Sequence, residues 1–347
     1  AEVYGVPFSF IPVGPAISTP VLPKKATRVR ALPERVAHEL TFPRLTGYRY
    51  ELAGETLRVE FDRQAGMSLS TADVPTRVEM EPLVGLGGID TLDQLKTHRD
   101  QEVDFLLAKL VYEKYFRVAD AAGAEASKPW LFPQILAAAK AWRLQCLTCK
   151  DDCFPQMLLL VEYAHTAADK IYRAIVDSTP GARTLLPILQ PYDTVGSTSY
   201  VDFDTTRPVM ATDPEKCHIS HVVCDTDSWE QKMAQVLEDM DEVQSYVKNH
   251  NLGFTIPYTY EGVAHGYITD FIVRLRAPDG AQPLNLIIEV SGEAKPEKAA
   301  KVETARSLWV PAVNNDGRFG RWSFLEISDP WDAKSTIRAT IGSEVTP

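Results

Sequence analysis

The sequence of 347 residues has few cysteines and no long apolar run. No stretch approaches the roughly 20 apolar residues that a helix needs to cross a bilayer, so we expect no membrane span. The opening, AEVYGVPFSFIPVGP, lacks the basic and apolar regions of a secretory signal and begins at alanine, which is typical of a piece cut from a longer protein. Five cysteines, an odd number in a chain too large to need staples, indicate reduced thiols in a cytoplasm.

Basic residues are also scarce. The chain has 36 Lys and Arg against 47 Asp and Glu, and most of its net charge of −11 falls from residue 191 onward. Such a bias normally argues against a phosphate-binding surface, but it also fits a carboxylate site that needs a cation for neutralisation. A GxxxxGK[ST] loop is missing as well, so we expect no ATPase within this chain.

Three regions of different character divide the sequence. Residues 1–90 contain the alternating runs HELTFPRL, GYRYELA and ETLRVEFD, which predict strands of a small antiparallel β unit. Residues 91–190 have helical spacing and end in a junction rich in Pro, Gly and Ser near 178–198. Residues 191–347 mix both types. We therefore predict a multidomain, mixed α/β protein: a β-rich unit, a helical domain with its linker, and an α/β domain.

The last third has the order helix, hairpin, helix and strand. A long helix is predicted over DSWEQKMAQVLEDMDEVQSYVKNH, ending near Asn251–Gly253. GYITDFIVRL and PLNLIIEVS are predicted as the two strands of a hairpin, and RWSFLEIS as the final strand. Between them, KPEKAAKVETARSLWV has helical spacing, and WVPAVNNDGRFGRW has the composition of a loop.

Two acids occur near the ends of the hairpin strands. Strand alternation puts Asp270 and Ile272 on one face of the first strand, and Glu289 and Ser291 on one face of the second. A lone buried carboxylate is expensive, whereas a pair that holds a divalent cation is not. Mg²⁺ prefers such oxygen ligands and leaves positions open for water and phosphate. The alternative is that both acids face solvent from an edge strand.

This hairpin resembles that of the PD-(D/E)XK nuclease superfamily, in which an Asp is followed by acid-x-Lys at the end of the next strand. The likeness extends over residues 228–275, LNLIIEVSG and VETARSLWVPAVNNDGRFGRWSFLEI. These segments resemble the C-terminal nuclease domain of type III restriction enzyme Res subunits and related helicase–nucleases. AEVYGVPFSFIP and TFPRLTGYRYEL resemble the region directly after the helicase motor in such proteins.

The resemblance implies a restriction-endonuclease-like domain with a mixed central sheet flanked by helices. It implies that Asp270 and Glu289 bind Mg²⁺, for which Mn²⁺ can substitute, in a bacterial cytoplasm. Glu230, in the first turn of the preceding helix, is where relatives often have a further acid, although the helix dipole explains an acid there equally well. The implied partners are double-stranded DNA, an ATP-dependent motor in the same full-length protein and a methyltransferase companion.

The sequence departs from the family pattern at Ser291, where lysine is expected. In the family that ammonium is thought to orient the attacking water, and the loss of one such group typically costs about 100- to 1000-fold in rate. Lys295, or Lys298 or Lys301 from the next helix, can replace it. Alternatively, the serine leaves a domain that binds DNA but cuts poorly, or the site works slowly on two carboxylates and metal alone.

Residues 295–321 form the best basic stretch for DNA contact, with Trp309 and Trp322 within or beside it. A solvated helix face explains most such charge runs equally well. The candidates to contact the DNA backbone are Lys298, Lys301, Arg318 and Arg321. We therefore expect a metal-dependent endonuclease module of a restriction or phage-defence enzyme. The second hypothesis is a catalytically inactive nuclease fold that serves DNA binding or complex assembly.

Overall fold

The computed structural model describes residues 26–70, 95–119, 125–126, 128–224, 228–260, 263–277, 282–290 and 296–345. The chain is a mixed α/β protein with several small sheets, as the sequence predicts. Among the described residues, no helix is both long enough and apolar enough to cross a membrane.

The elements are numbered in chain order. The α-helices are α1 (Asp100–Val111), α2 (Phe132–Cys146), α3 (Val161–Ser178), α4 (Ser228–Glu238), α5 (Pro296–Thr304), α6 (Val310–Asp316) and α7 (Ala333–Val345). The strands before residue 200 are β1 (Thr27–Arg30), β2 (Thr41–Pro43), β3 (Leu45–Leu52), β4 (Met67–Leu69), β5 (Val118–Ala119), β6 (Glu125–Ala126), β7 (Leu147–Cys149), β8 (Arg183–Leu189) and β9 (Val195–Ser197). The strands after it are β10 (Asp202–Thr205), β11 (Val209–Ala211), β12 (His221–Val223), β13 (Val243–Lys248), β14 (Ile256–Tyr260), β15 (Val263–Tyr267), β16 (Phe271–Leu275), β17 (Leu284–Val290) and β18 (Arg321–Ile327).

The largest sheet of the described residues contains β13, β16, β17 and β18 in that order. β16 and β17 form the predicted antiparallel hairpin, β13 pairs antiparallel with β16, and β18 runs parallel to β17. The chain returns from β17 to β18 through α5 and α6, a helical crossover of the kind that parallel pairing requires. Residues 284–288 of β17 are all buried, so both faces of this strand are covered.

The long helix predicted from residue 228 is wrong in its second half. α4 ends at Glu238, and after a short turn the chain continues as β13. Tyr246 and Val247 of β13 are buried against the sheet core. Aromatic and β-branched residues fit a pleated sheet surface, and pairing with β16 satisfies their backbone groups. Tertiary pairing therefore overrides the helical spacing.

The loop predicted over WVPAVNNDGRFGRW is wrong in its first half. A π-helical turn at Ala305–Trp309 leads into α6, which ends before Gly317 in the left-handed conformation, with a φ of 74°. Trp309 and Trp322 pack edge to face, with ring centroids 5.1 Å apart, and both are buried. These two rings belong to the core and do not form a DNA-facing surface.

The strands of the N-terminal region pair with strands from residues 183–205. β1 pairs with β10, β2 with β9 and β3 with β8, all antiparallel. The stretch near 178–198 that we predicted as a linker therefore supplies two of these strands. The described part of residues 1–90 does not form the separate antiparallel sheet that its pattern predicts. The domain boundaries near residues 90 and 190 stay a prediction.

The run ETLRVEFD, predicted as a strand, is not one in the structure. Side chains at the end of α3 take the role of a partner strand. The Thr179 hydroxyl accepts from the backbone N–H of Arg58 at 3.0 Å and donates to its carbonyl oxygen at 3.2 Å. Ser178 contacts the two backbone groups of Glu60 in the same way. Side chains of this kind compete with sheet ladders for backbone groups.

Buried apolar side chains form two clusters. The sheet cluster comprises buried residues between Val29 and Leu45 and between Val201 and Ile337. The helical cluster comprises buried residues between Leu52 and Val176. The candidate acids of the hairpin lie at the end of strands that belong to the sheet cluster, and this position determines their surroundings.

Candidate active site

Asp270 and Glu289 lie close together at one end of the two central strands. Asp270 directly precedes β16, and its N–H donates to the carbonyl oxygen of Ile288 at 3.1 Å. Phe271 is the first paired residue of β16, opposite Ile288, and Glu289 is the next residue of β17. The Asp270 and Glu289 carboxyl groups are near enough for each to act on the pKa of the other. The two carboxyl groups therefore lie close together at this end of the sheet.

The structure contradicts the alternative of solvent-facing acids on an edge strand. β16 and β17 are the two internal strands of the four-stranded sheet. Asp270 and Glu289 are both half-buried, whereas Ile268, two residues before Asp270, is 64% exposed. The acids thus lie at a strand end where the sheet core meets solvent.

Burial raises the pKa of both carboxyl groups. For Glu289, burial and then the charge of Asp270 raise the pKa to about 7, against smaller opposing effects of Tyr267 and Lys298. For Asp270, burial raises the pKa, and the Val290 N–H, which donates to Oδ2 at 2.7 Å, opposes the rise. Two adjacent carboxyl groups that both resist ionisation form a site that a cation would stabilise.

An ion pair lies beside Asp270. Lys248, on β13, contacts Glu230, in the first turn of α4, with Nζ 2.5 Å from Oε2. The same Nζ donates to the carbonyl oxygen of Val223 at 2.9 Å. The charge of Glu230 raises the pKa of Asp270, and that of Lys248 lowers it. Glu230 is therefore close enough to act on the predicted metal ligand.

A second ion pair lies beside Glu289. Glu326 of β18 is the parallel-register neighbour of Glu289. Its Oε1 is 2.5 Å from Nζ of Lys298, which is on α5. Glu326 raises the pKa of Glu289, and Lys298 lowers it. Of the lysines considered as replacements for the missing family lysine, Lys298 thus approaches the carboxylate pair from the crossover helix.

Ser291 and Lys295 lie outside the described residues. The position two residues after Glu289, where the family pattern requires lysine, is therefore described only by the sequence. Lys301, one turn beyond Lys298 on α5, contacts Glu297 with Nζ 3.0 Å from Oε1 and lies over the ring of Tyr258.

Three residues near the pair were missed from the sequence. Lys248 falls within the predicted long helix, and Glu326 lies in a strand that joins Glu289 only through a long crossover. Tyr267 is 4% exposed, and its hydroxyl lies near three acids. A detectable signal existed for Tyr267, an aromatic residue just before an acid in GYITDF, and for Glu326, a lone acid in an apolar strand.

The four candidate DNA contacts differ in their surroundings. Lys298 and Lys301 pair with acids as described above. Arg318 makes two bonds to Asp316, at 2.6 and 2.7 Å, and lies beside the ring of Phe319. Arg321 is the first residue of β18 and is exposed. Acids offset much of the basic charge in this stretch, which agrees with the overall acidic balance.

The donor set at the hairpin fits a hard divalent cation. The Val290 N–H donates to Oδ2 of Asp270, and the oxygens that can bind a cation belong to the Asp270 and Glu289 carboxyl groups. Mg²⁺ is commonly bound by one or two carboxylates and keeps several waters. Within the described ranges, no group of three or more His, Cys, Asp or Glu side chains is arranged to hold a metal ion. Water and substrate oxygens would therefore complete the coordination of a cation here.

No protein-family model matches the chain, and neither a curated protein nor a solved structure is significantly similar to it. The likeness to the nuclease superfamily thus depends on the motif residues alone.

Proposed function

We propose that this chain is the nuclease module of a restriction-type helicase–nuclease that acts on double-stranded DNA in the cytoplasm. Its reaction is hydrolysis of phosphodiester bonds, dependent on Mg²⁺ or Mn²⁺. Asp270 and Glu289 are the metal ligands, and the motor and a methyltransferase companion are its partners in the complete system.

The observation that carries this proposal is the closeness of the Asp270 and Glu289 carboxyl groups at one end of two internal strands. Each carboxyl group is half-buried, burial raises the pKa of both, and the charge of Asp270 adds to the rise for Glu289, whose pKa is raised to about 7. Perturbed acids of this kind cluster at functional sites. The order of the mixed sheet, with a parallel strand reached through a helical crossover, supports a restriction-endonuclease-like domain.

Residues around the carboxylate pair would have different roles in the reaction. The Val290 N–H holds Oδ2 of Asp270, which leaves Oδ1 for a cation shared with Glu289. A bound magnesium ion would supply an activated water and stabilise negative charge on the phosphodiester. For the ammonium that Ser291 lacks, we propose Lys298, because its charge acts on Glu289 from α5. Glu230 and Glu326 hold the two lysines beside the pair.

A non-catalytic module for DNA binding or complex assembly is the second candidate. The observation in its favour is that Lys248 and Lys298 are each engaged by an acid, 2.5 Å away, in a site where Ser291 carries no charge. An ammonium neutralised by a carboxylate contributes less to the stabilisation of a transition state.

Plasmid cleavage with Mg²⁺ or Mn²⁺ tests the proposal. The unaltered chain should cut, and Asp270→Asn should lose at least about 100-fold in rate while it keeps the fold, because the amide oxygen can still accept from Val290. The control Glu303→Gln removes the same charge from an exposed position of α5 and should cut normally. Cutting by Ser291→Lys alone would favour the inactive module. Cutting by Asp270→Asn at the parental rate would show that the assigned site is wrong.

The same assay tests the lysine. Lys298→Met should lower the rate about 100- to 1000-fold, the typical cost of removing one charge-stabilising group. Lys140→Met, at an exposed position of α2 away from the pair, is the control. Equal rates for the two variants would refute the assignment to Lys298.

A further inference from the structure

Tyr267 ends β15, three residues before Asp270. Its backbone pairs with Ile256 of β14, and the residue is 4% exposed. The charges of Glu289, Asp270 and Glu326 all raise the pKa of its phenol, after the larger effect of burial. The hydroxyl, which can donate a hydrogen bond, therefore lies beside the acids of the candidate site.

The Tyr267 hydroxyl oxygen is buried, and no atom of the described residues meets it at hydrogen-bond geometry. The hydroxyl is nevertheless near enough to the Glu289 carboxyl to lower the pKa of that group. Buried hydroxyl groups are almost always hydrogen-bonded in native proteins. An unsatisfied donor beside two carboxyl groups indicates a site whose arrangement is completed by something that binds.

We propose that Tyr267 is a positioning residue of the carboxylate pair, whose hydroxyl donates to Glu289 and turns that carboxylate towards a cation shared with Asp270. This inference rests on the proposed function, since it concerns the same cation. A hydrogen bond from outside the coordination sphere orients a ligating carboxylate, and its loss typically lowers metal affinity about 10- to 100-fold.

The neighbouring strand offers a matched control. Tyr258 of β14 is 5% exposed, like Tyr267, and belongs to the same two-stranded ribbon. Its hydroxyl, however, donates to Oε1 of Glu297 at 2.7 Å. Tyr258→Phe therefore removes a similar buried hydroxyl that serves a hydrogen bond away from the pair.

Calorimetric titration with Mg²⁺ alone, without DNA, tests the inference on the full chain. Tyr267→Phe should bind Mg²⁺ about 10- to 100-fold more weakly than the unaltered chain, whereas Tyr258→Phe should bind it equally well. Asp270→Asn, included in parallel, should lose binding. Thermal unfolding in EDTA shows whether each variant folds, and a purely structural tyrosine would lower that midpoint and leave the Mg²⁺ affinity unchanged.

The two possible failures give different results. If Asp270→Asn loses Mg²⁺ and Tyr267→Phe keeps it at parental affinity, the role of the tyrosine is refuted and the proposed metal site stands. If Asp270→Asn binds as tightly as the parent, the proposed site itself is wrong.

Should Tyr267→Phe not fold, tyrosine difference absorption of the unaltered chain replaces the titration of that variant. Mg²⁺ should perturb that spectrum in the parent but not in Asp270→Asn, and a parent spectrum unchanged by bound Mg²⁺ overturns the inference.

Discussion

Acids beside the helical cluster and acids beside the sheet cluster differ in how their charge is neutralised. In the helical cluster, Asp104 is 3% exposed and receives two bonds from Arg143, at 2.6 and 3.0 Å. Asp100 adds a third contact to the same guanidinium, at 2.9 Å. In the sheet cluster, Asp270 and Glu289 face each other, and the nearby ammonium groups are held by other acids.

This difference separates an acid that is neutralised within the chain from a pair that is not. The Arg143 guanidinium matches the carboxylate of Asp104 with two parallel bonds, an arrangement that needs nothing from outside the chain. The hairpin pair has no such cation of its own among the described residues between its carboxyl groups, and burial raises the pKa of each. A cation from solution would complete the second arrangement but not the first.

The largest expected effect on stability comes from the loss of the ion pair between Asp104 and Arg143. Asp104→Ala should lower the free energy of unfolding by about 3 kcal/mol, because it leaves the buried Arg143 with only Asp100 as a partner. Asp100→Ala, at a side chain that is 48% exposed, should cost at most about 1 kcal/mol. Denaturant unfolding of both variants measures the difference. Equal losses would mean that the two acids share the charge of Arg143 evenly.

The hairpin pair should instead make stability depend on pH. Glu289 has a pKa of about 7 in the folded protein against 4.5 for an ordinary glutamate, so between these values the folded state binds more protons than the unfolded state. The free energy of unfolding should therefore fall as pH rises through this window, by about 2 to 3 kcal/mol.

Glu289→Gln should remove most of that slope and stabilise the metal-free protein at about pH 8, and Mg²⁺ should restore stability to the parent alone. Unfolding curves between about pH 4.5 and 8 in EDTA measure this. The control Glu303→Gln should keep the parental slope, as its side chain is exposed. A parental slope in Glu289→Gln would contradict the assignment of the charge to this residue.

The smallest expected effect on stability concerns the Thr179 hydroxyl, which binds the backbone of Arg58 where a partner strand would otherwise pair. Thr179→Val keeps the shape of a residue that is 2% exposed but removes both bonds to the backbone of Arg58. It should cost about 1 to 2 kcal/mol in the free energy of unfolding. Thr184→Val, at an exposed position of β8, should change it by less than about 0.5 kcal/mol. If the two variants are equally stable, the bonds to Arg58 contribute nothing.

The successes and errors of the sequence predictions have one pattern. The hairpin was predictable because its alternation is local and its two strands are adjacent in the chain. β13 was not, because VQSYVK fits helical spacing and becomes a strand only by pairing with β16. The strand predicted over ETLRVEFD does not form for the opposite reason, since side chains of Ser178 and Thr179 bind the backbone groups that a partner strand would pair with.

The same division applies to the candidate site. Asp270 and Glu289 could be singled out from the sequence, because their hairpin resembles that of the PD-(D/E)XK nucleases and strand alternation sets the face of each side chain within its own strand. Lys248 and Glu326 reach the pair through contacts between elements that are distant along the chain, and only Glu326 left a weak signal, as a lone acid in an apolar strand. Tyr267 is only three residues before Asp270, but its burial beside the acids depends on how β15 packs.

Residue spacing within single elements was enough to predict the mixed α/β class and the helices of the middle region, and a resemblance to a nuclease hairpin singled out the two acids at its end. The packing of elements against each other placed these acids on internal strands, with an ion pair on either side and an unsatisfied tyrosine beside them. Burial and charge at that point depend on which elements pack together, and no local pattern records that packing.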